Sequence, residues 1–208
     1  MKNTLDLVAH GPVIPVIVIQ RVDDAVPIAR ALVAGGVRVL EVTLRTPVAR
    51  QCLERIAREV PEAILGAGTV RSAADAQAAK DAGCVFAVSP GYTRELGDAC
   101  RAIGLPLLPG VATASEVMQA NADGHFFLKF FPALQAGGVP MLKALAGPFT
   151  DVVFCPTGGI TPANASEFLA LPNVKVCGGS WLTPADAVAA RDWPRLTQLA
   201  RAAQALRA

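Results

Sequence analysis

Phe126-Phe127-Leu128-Lys129-Phe130-Phe131-Pro132 sets one lysine among four phenylalanines, ahead of a proline. So dense a run of β-favouring apolar side chains predicts a strand buried on both faces, the signature of a parallel sheet covered by helices. An ammonium group in that setting is costly unless it is paired or loses its proton. Burial favours the neutral amine, which is a nucleophile able to capture carbonyl compounds as Schiff bases. The competing readings are a Lys129 paired with a carboxylate and a Lys129 that reaches solvent at the strand end.

Working outward, strands and helices alternate in both directions from this run. Residues 13–19 are a β-branched run and the first predicted strand. A helix starts at Asp23-Asp24, continues to about residue 32 and stops at Gly35-Gly36. Strands follow at 37–44, 63–67, 84–88 and 105–108, with the lysine run as the sixth. Two more are predicted at 152–155 and 174–177. Helices are predicted over 47–60, 72–82 (capped by Ser72 and ended by Gly83), 93–103, 113–122, 137–145 and 162–169. Pro184 opens a last helical segment that runs through Leu206, with a break near Pro194. Gly or Pro marks each turn. Eight strand–helix units predict a parallel sheet closed into a (β/α)8 TIM barrel, with residues 1–208 as a single domain. A doubly wound open sheet is the structural alternative.

Composition narrows the function classes. The 208 residues carry 19 Lys and Arg against 17 Asp and Glu, and no basic cluster suits nucleic acid. Apolar residues make up 52% of the chain, but no uninterrupted run is long enough to span a membrane. The N-terminal stretch has no apolar leader, so secretion is not expected. Five scattered cysteines without a CxxC pair fit free thiols in a reducing, cytoplasmic setting better than disulfides or structural zinc. With only His10 and His125, a histidine metal site is not expected; carboxylate-bound magnesium is left open by counting.

A barrel would turn the C-terminal ends of its strands toward one mouth. Glu41 and Arg45, Thr69, Pro90, Lys129 and Phe131, Thr157-Gly158-Gly159 and Gly178-Gly179-Ser180 all close strands. Glu41 is surrounded by aliphatic residues, so burial would hold it ready to exchange protons near neutral pH. The alternative is a core glutamate satisfied by Arg38 or Arg45. Arg45, at even spacing from Glu41, offers a planar fork for a substrate carboxylate, or is a surface arginine at a helix start. The two Gly-Gly pairs after strands seven and eight fall where barrels of this type hold phosphate on backbone N–H groups. Gly35-Gly36 and Gly137-Gly138 read as ordinary caps or turns. His125 reads as a solvated loop residue. Lys2, Lys80, Lys143 and Lys175 have no comparable surroundings.

Two segments, residues 36–45 (Gly-Val-Arg-Val-Leu-Glu41-Val-Thr-Leu-Arg45) and 124–133 (Gly-His-Phe-Phe-Leu-Lys129-Phe-Phe-Pro-Ala) followed by Gly137, resemble the 2-keto-3-deoxy-6-phosphogluconate (KDPG) and 4-hydroxy-2-oxoglutarate (KHG) aldolase family. Gly66-Ala-Gly-Thr69, Ser89-Pro90-Gly91, Pro156-Thr157-Gly158-Gly159 and Gly178-Gly-Ser-Trp181 fit the same pattern, so the resemblance covers nearly the whole chain. It implies a class I aldolase that needs no cofactor and no metal. It implies Lys129 as the Schiff-base lysine and Glu41 as the general acid/base, acting through a water. It implies Arg45 and Thr69 on the pyruvyl carboxylate, with Pro90 and Phe131 shaping the pocket. Gly158, Gly159, Gly178, Gly179 and Ser180 would hold the 6-phosphate. Thr157 would select C4 stereochemistry, threonine favouring the gluconate epimer where the galactonate branch tends to carry valine. The implied partner is a small phosphorylated keto acid, with neither nucleic acid nor membrane, and the implied assembly is a homotrimer. Three other functions compete: a galactonate-epimer aldolase, a phosphate-binding isomerase or synthase using Glu41 without imine chemistry, and a catalytically silent phosphosugar-binding barrel.

Overall fold

In the computed structural model, which describes residues 3–206, strands and helices alternate along the chain. The strands are β1 (Val13–Ile17), β2 (Val39–Thr43), β3 (Ile64–Gly68), β4 (Phe86–Val88), β5 (Leu107–Leu108), β6 (Gly110–Val111), β7 (Phe127–Phe130), β8 (Val153–Pro156) and β9 (Cys177–Gly179). The strand order β5-β4-β3-β2-β1-β9 forms one sheet and β6-β7-β8 the other, and the strand pairings are parallel. The two sheets are one barrel. The Thr157↔Gly178 bridge joins β8 to β9. Pro109 interrupts a single stave, so that β5 pairs with β4 and β6 with β7. The eight predicted strands therefore appear as nine segments, because a proline cannot donate to the ladder.

The helices are α1 (Val22–Ala34), α2 (Ala49–Glu59), α3 (Ala73–Asp81), α4 (Arg94–Ala102), α5 (Ala114–Ala122), α6 (Gly138–Ala146), α7 (Ala165–Leu169), α8 (Ala185–Ala189) and α9 (Trp193–Gln204). Local chemistry starts several of them. The Ser72, Thr93 and Thr113 side chains accept from backbone N–H groups in the first turns of α3, α4 and α5. Gly83 has φ +89°, a backbone conformation that suits glycine, just past α3. One helix expectation needs correction. The helix after Thr161 covers only Ala165–Leu169, because Asn164 turns back to cap Thr161 N–H and to donate to Gly159 O. The expected break near Pro194 is present between α8 and α9, where Arg191 has φ 54°, and Pro194 itself sits in the first turn of α9. A 3-10 helix at Thr4–His10, not anticipated, precedes β1. Lys2 lies outside the described residues.

The staves are buried almost throughout, and their alternate side chains fall into two apolar layers. Outward residues such as Ile17, Leu40, Val42, Leu65 and Ala67 pack against the helices. Inward residues Ile14, Val39, Phe86, Val88, Leu108, Phe127, Cys155 and Val176 fill the barrel, with Leu7 of the 3-10 helix packed among them. With a side-chain period of two, the next inward positions above Val39, Phe127 and Cys155 are Glu41, Lys129 and Thr157. The site is thus the layer above the barrel core. The strand β7 is buried throughout, as expected, but Phe126 lies before it and is 49% exposed.

Candidate active site

Lys129 and Glu41 meet inside the barrel. Their side chains are 7% and 4% exposed, and Nζ lies 3.3 Å from Oε1. The partner of Glu41 is therefore Lys129. Arg38 instead donates to Glu62 O. Lys129 Nζ also sits 5.3 Å from the centre of the Phe131 ring, so a carboxylate and an aromatic face flank the amine in a place largely closed to water. Beside it on β8, Cys155 is paired in register with Lys129. Burial pushes that thiol up to about 12, so the lysine has a neutral neighbour there at physiological pH.

Two neighbouring threonines fix the strand end that carries Glu41. Thr43 Oγ1 donates to Ile17 O and Thr46 Oγ1 to Ile19 O, tying the β2 end to the β1 end. Between them Arg45 is exposed, forms no ion pair among the described residues, and lines a cavity of about 380 Å³. Phe131, Thr157, Gly158, Gly159, Gly178, Gly179 and Ser180 line the same cavity. The structure thus gathers Arg45, the aromatic that covers Lys129 and both Gly loops into one opening. Gly158 and Gly159 have φ +102° and +77°. A side chain at Gly179 would run into the Trp181 ring, only 1.7 Å from where its Cβ would sit. Glycines at these positions put no side chain of their own between the loop backbone and the cavity that they line. Thr157 is buried and donates to Cys155 O.

Thr69 and Pro90 close β3 and β4 on the same end of the barrel but do not line this cavity. Thr69 adopts φ 61°, an outlier for a β-branched residue, and such backbone strain gathers at functional sites. The Pro90 backbone abuts Gly110, which is the register partner of Lys129. Sequence reasoning missed Val16, Val18 and Ile160 in the cavity wall. The alternation of Val16 and Val18 with Ile14 was the signal that could have found the first two. His125 is not a solvated residue: it is half-buried against the Tyr92 ring, its Nε2 has no hydrogen-bond partner, and burial holds its imidazole below the ordinary histidine range. Among the described residues no three His, Cys, Asp or Glu side chains converge as metal ligands.

A parallel (β/α)8 barrel that buries a lysine–glutamate pair at the strand ends has the make-up of a barrel enzyme with its site at that mouth. The KDPG and KHG aldolase family model matches residues 5–199, and the chain belongs to that family. It is 54% identical to the 2-dehydro-3-deoxy-phosphogluconate aldolase of Pseudoalteromonas atlantica, over 98% of this chain and 94% of that protein. Identity is also 54% to the KHG/KDPG aldolase of Escherichia coli K12, over 95% and 92%. Among solved structures, the Legionella pneumophila KDPG aldolase with pyruvate captured as a covalent carbinolamine intermediate superposes with a TM-score of 0.93, at 50% identity over 95% of this chain and 96% of that one.

Proposed function

We propose that this protein is a class I aldolase that cleaves 2-keto-3-deoxy-6-phosphogluconate to pyruvate and glyceraldehyde 3-phosphate, with cleavage of 4-hydroxy-2-oxoglutarate to pyruvate and glyoxylate as a second activity. The observation that carries the reading is the Lys129–Glu41 contact at 3.3 Å, with the Phe131 ring that faces Lys129 lining a cavity shared by Arg45 and both Gly loops.

Glu41 accepts a proton from Lys129, and the free amine adds to the C2 ketone. Glu41 returns that proton to the carbinolamine hydroxyl, which leaves as water, restoring the carboxylate and giving an iminium, the electron sink for the next step. Glu41, through a water, takes the C4 hydroxyl proton. The C3–C4 bond breaks, its electrons flow to the iminium, and glyceraldehyde 3-phosphate leaves with an enamine remaining on Lys129. Protonation at C3 regenerates an iminium, and its hydrolysis releases pyruvate and the free lysine. Arg45 and Thr69 hold the substrate carboxylate, Pro90 and Phe131 shape the pocket, and Gly158, Gly159, Gly178, Gly179 and Ser180 hold the 6-phosphate. Thr157 faces the C4 hydroxyl and selects the gluconate epimer. The chain acts as one barrel domain in a cytoplasmic homotrimer, a setting supported by its five buried free thiols and testable by an equilibrium mass three times the 21.5 kDa chain.

Cleavage of the two purified C4 epimers, followed by glyceraldehyde 3-phosphate release, tests the reading. Faster turnover of the gluconate epimer is expected. No cleavage of either by folded protein, or a preference for the galactonate epimer, would contradict it. The silent-barrel and imine-free readings are disfavoured because neither needs an amine buried against a carboxylate.

A further inference from the structure

Four groups at the mouth lie over glycines of the next stave: Glu41 over Gly68, Pro90 over Gly110, Phe131 over Gly158 and Thr157 over Gly178. In the first pair the glycine's only evident use is space. Gly68 ends β3 with ordinary strand backbone, without the positive φ that would itself call for glycine. A Cβ there would lie 2.3 Å from Glu41 Oε1, 2.7 Å from Cγ and 2.9 Å from Cδ, so the whole glutamate side chain rests on the bare Cα. The atom met first is the oxygen that contacts Lys129 Nζ. Gly68 itself is held in place: its carbonyl accepts from Leu44 N–H at 2.8 Å, and Thr43 is its register partner. An added methyl group would therefore move the mobile member, Glu41, and not the strand.

We infer that Gly68 is a positioning residue for the reaction: its missing side chain is the seat that holds the Glu41 carboxylate against Lys129. The inference rests on the proposed use of that pair in imine chemistry. A shift of about 1 Å in a reacting group can cost about a hundredfold in rate, so G68A is expected to lose kcat on that order while KM stays within about threefold.

The test compares wild type, G68A, E41A and the G68A/E41A double variant, each checked for folding by thermal melting. Two rates are read: kcat for cleavage, and borohydride trapping of pyruvate on Lys129. If Gly68 acts through Glu41, G68A approaches E41A, and the double variant is no worse than E41A alone. Wild-type kcat in G68A, or a double variant whose loss is the product of the two single losses, overturns the inference. Should G68A not fold alone, the E41A pair decides: G68A neutral there supports the seat, and a further loss overturns it. Failure of wild type to trap pyruvate would instead refute the aldolase reading, so the two failures are distinguishable.

Discussion

Lys129 and Glu41 are 88 positions apart in the chain, and each is costly to bury alone. Together they satisfy one another, and the Phe131 face closes the third side. What was readable at this scale was the type of each residue and its hostile apolar setting. What was not readable was the partner, because a pairing across the barrel depends on register: Val16 pairs with Glu41 in one ladder, and Gly110 with Lys129 in another. Gly68 was equally hidden, since a glycine needed for space looks in sequence like any other glycine. At this scale Lys129→Arg is predicted to abolish cleavage, because a guanidinium stays protonated and cannot form the imine. Glu41→Gln keeps the volume but removes the base, and kcat is predicted to fall by about 10²- to 10⁴-fold in a steady-state cleavage assay. Unchanged turnover in either folded variant would remove that residue from the mechanism.

Between residue and barrel stand the helices and staves that aim these side chains. Most were legible, because apolar periodicity and the caps agree: Ser72, Thr93 and Thr113 each begin a helix where their hydroxyl can accept a first-turn N–H. The exceptions have local causes. Pro109 splits a stave, and Asn164 delays α7 by hydrogen-bonding on either side of it. The 3-10 helix Thr4–His10 was missed because it carries no long apolar period. Its Leu7 nevertheless packs among the inward side chains of the staves. The capping box of α5, in which Glu116 also accepts from Thr113 N–H and Ala112 N–H, gives a direct test. Thr113→Ala is predicted to cost about 1 kcal/mol in urea unfolding. Because α5 lies outside the barrel, kcat should not change.

For the whole molecule, closure is what turns eight scattered strand ends into one mouth. The count of strand–helix units predicted that closure, and the Thr157↔Gly178 bridge completes it between β8 and β9. The same burial has a consequence for pH. Cys52 and Cys100 are pushed up to about 11, and Cys84 and Cys155 to about 12, from an ordinary value of 9.0, in each case mainly because burial disfavours the thiolate. Burial, with the hydrogen bond to Asp123, likewise raises Tyr92 from 10.0 to about 12. These groups lose protons from the unfolded chain first. Their stabilising contribution is therefore complete below about pH 9 and is lost as pH rises toward the folded values. Melting temperature is predicted to fall steadily between pH 9 and 11, whereas a flat profile would mean that the thiols titrate alike in both states. The central claim, that this barrel exists to present one amine to a keto acid, is tested most directly by mass spectrometry of the intact folded protein after incubation with pyruvate and borohydride. The account predicts one reduced pyruvyl adduct per chain, on the peptide containing Lys129 and absent from Lys129→Arg. No adduct, or an adduct placed on Lys80, Lys143 or Lys175 instead, would contradict it.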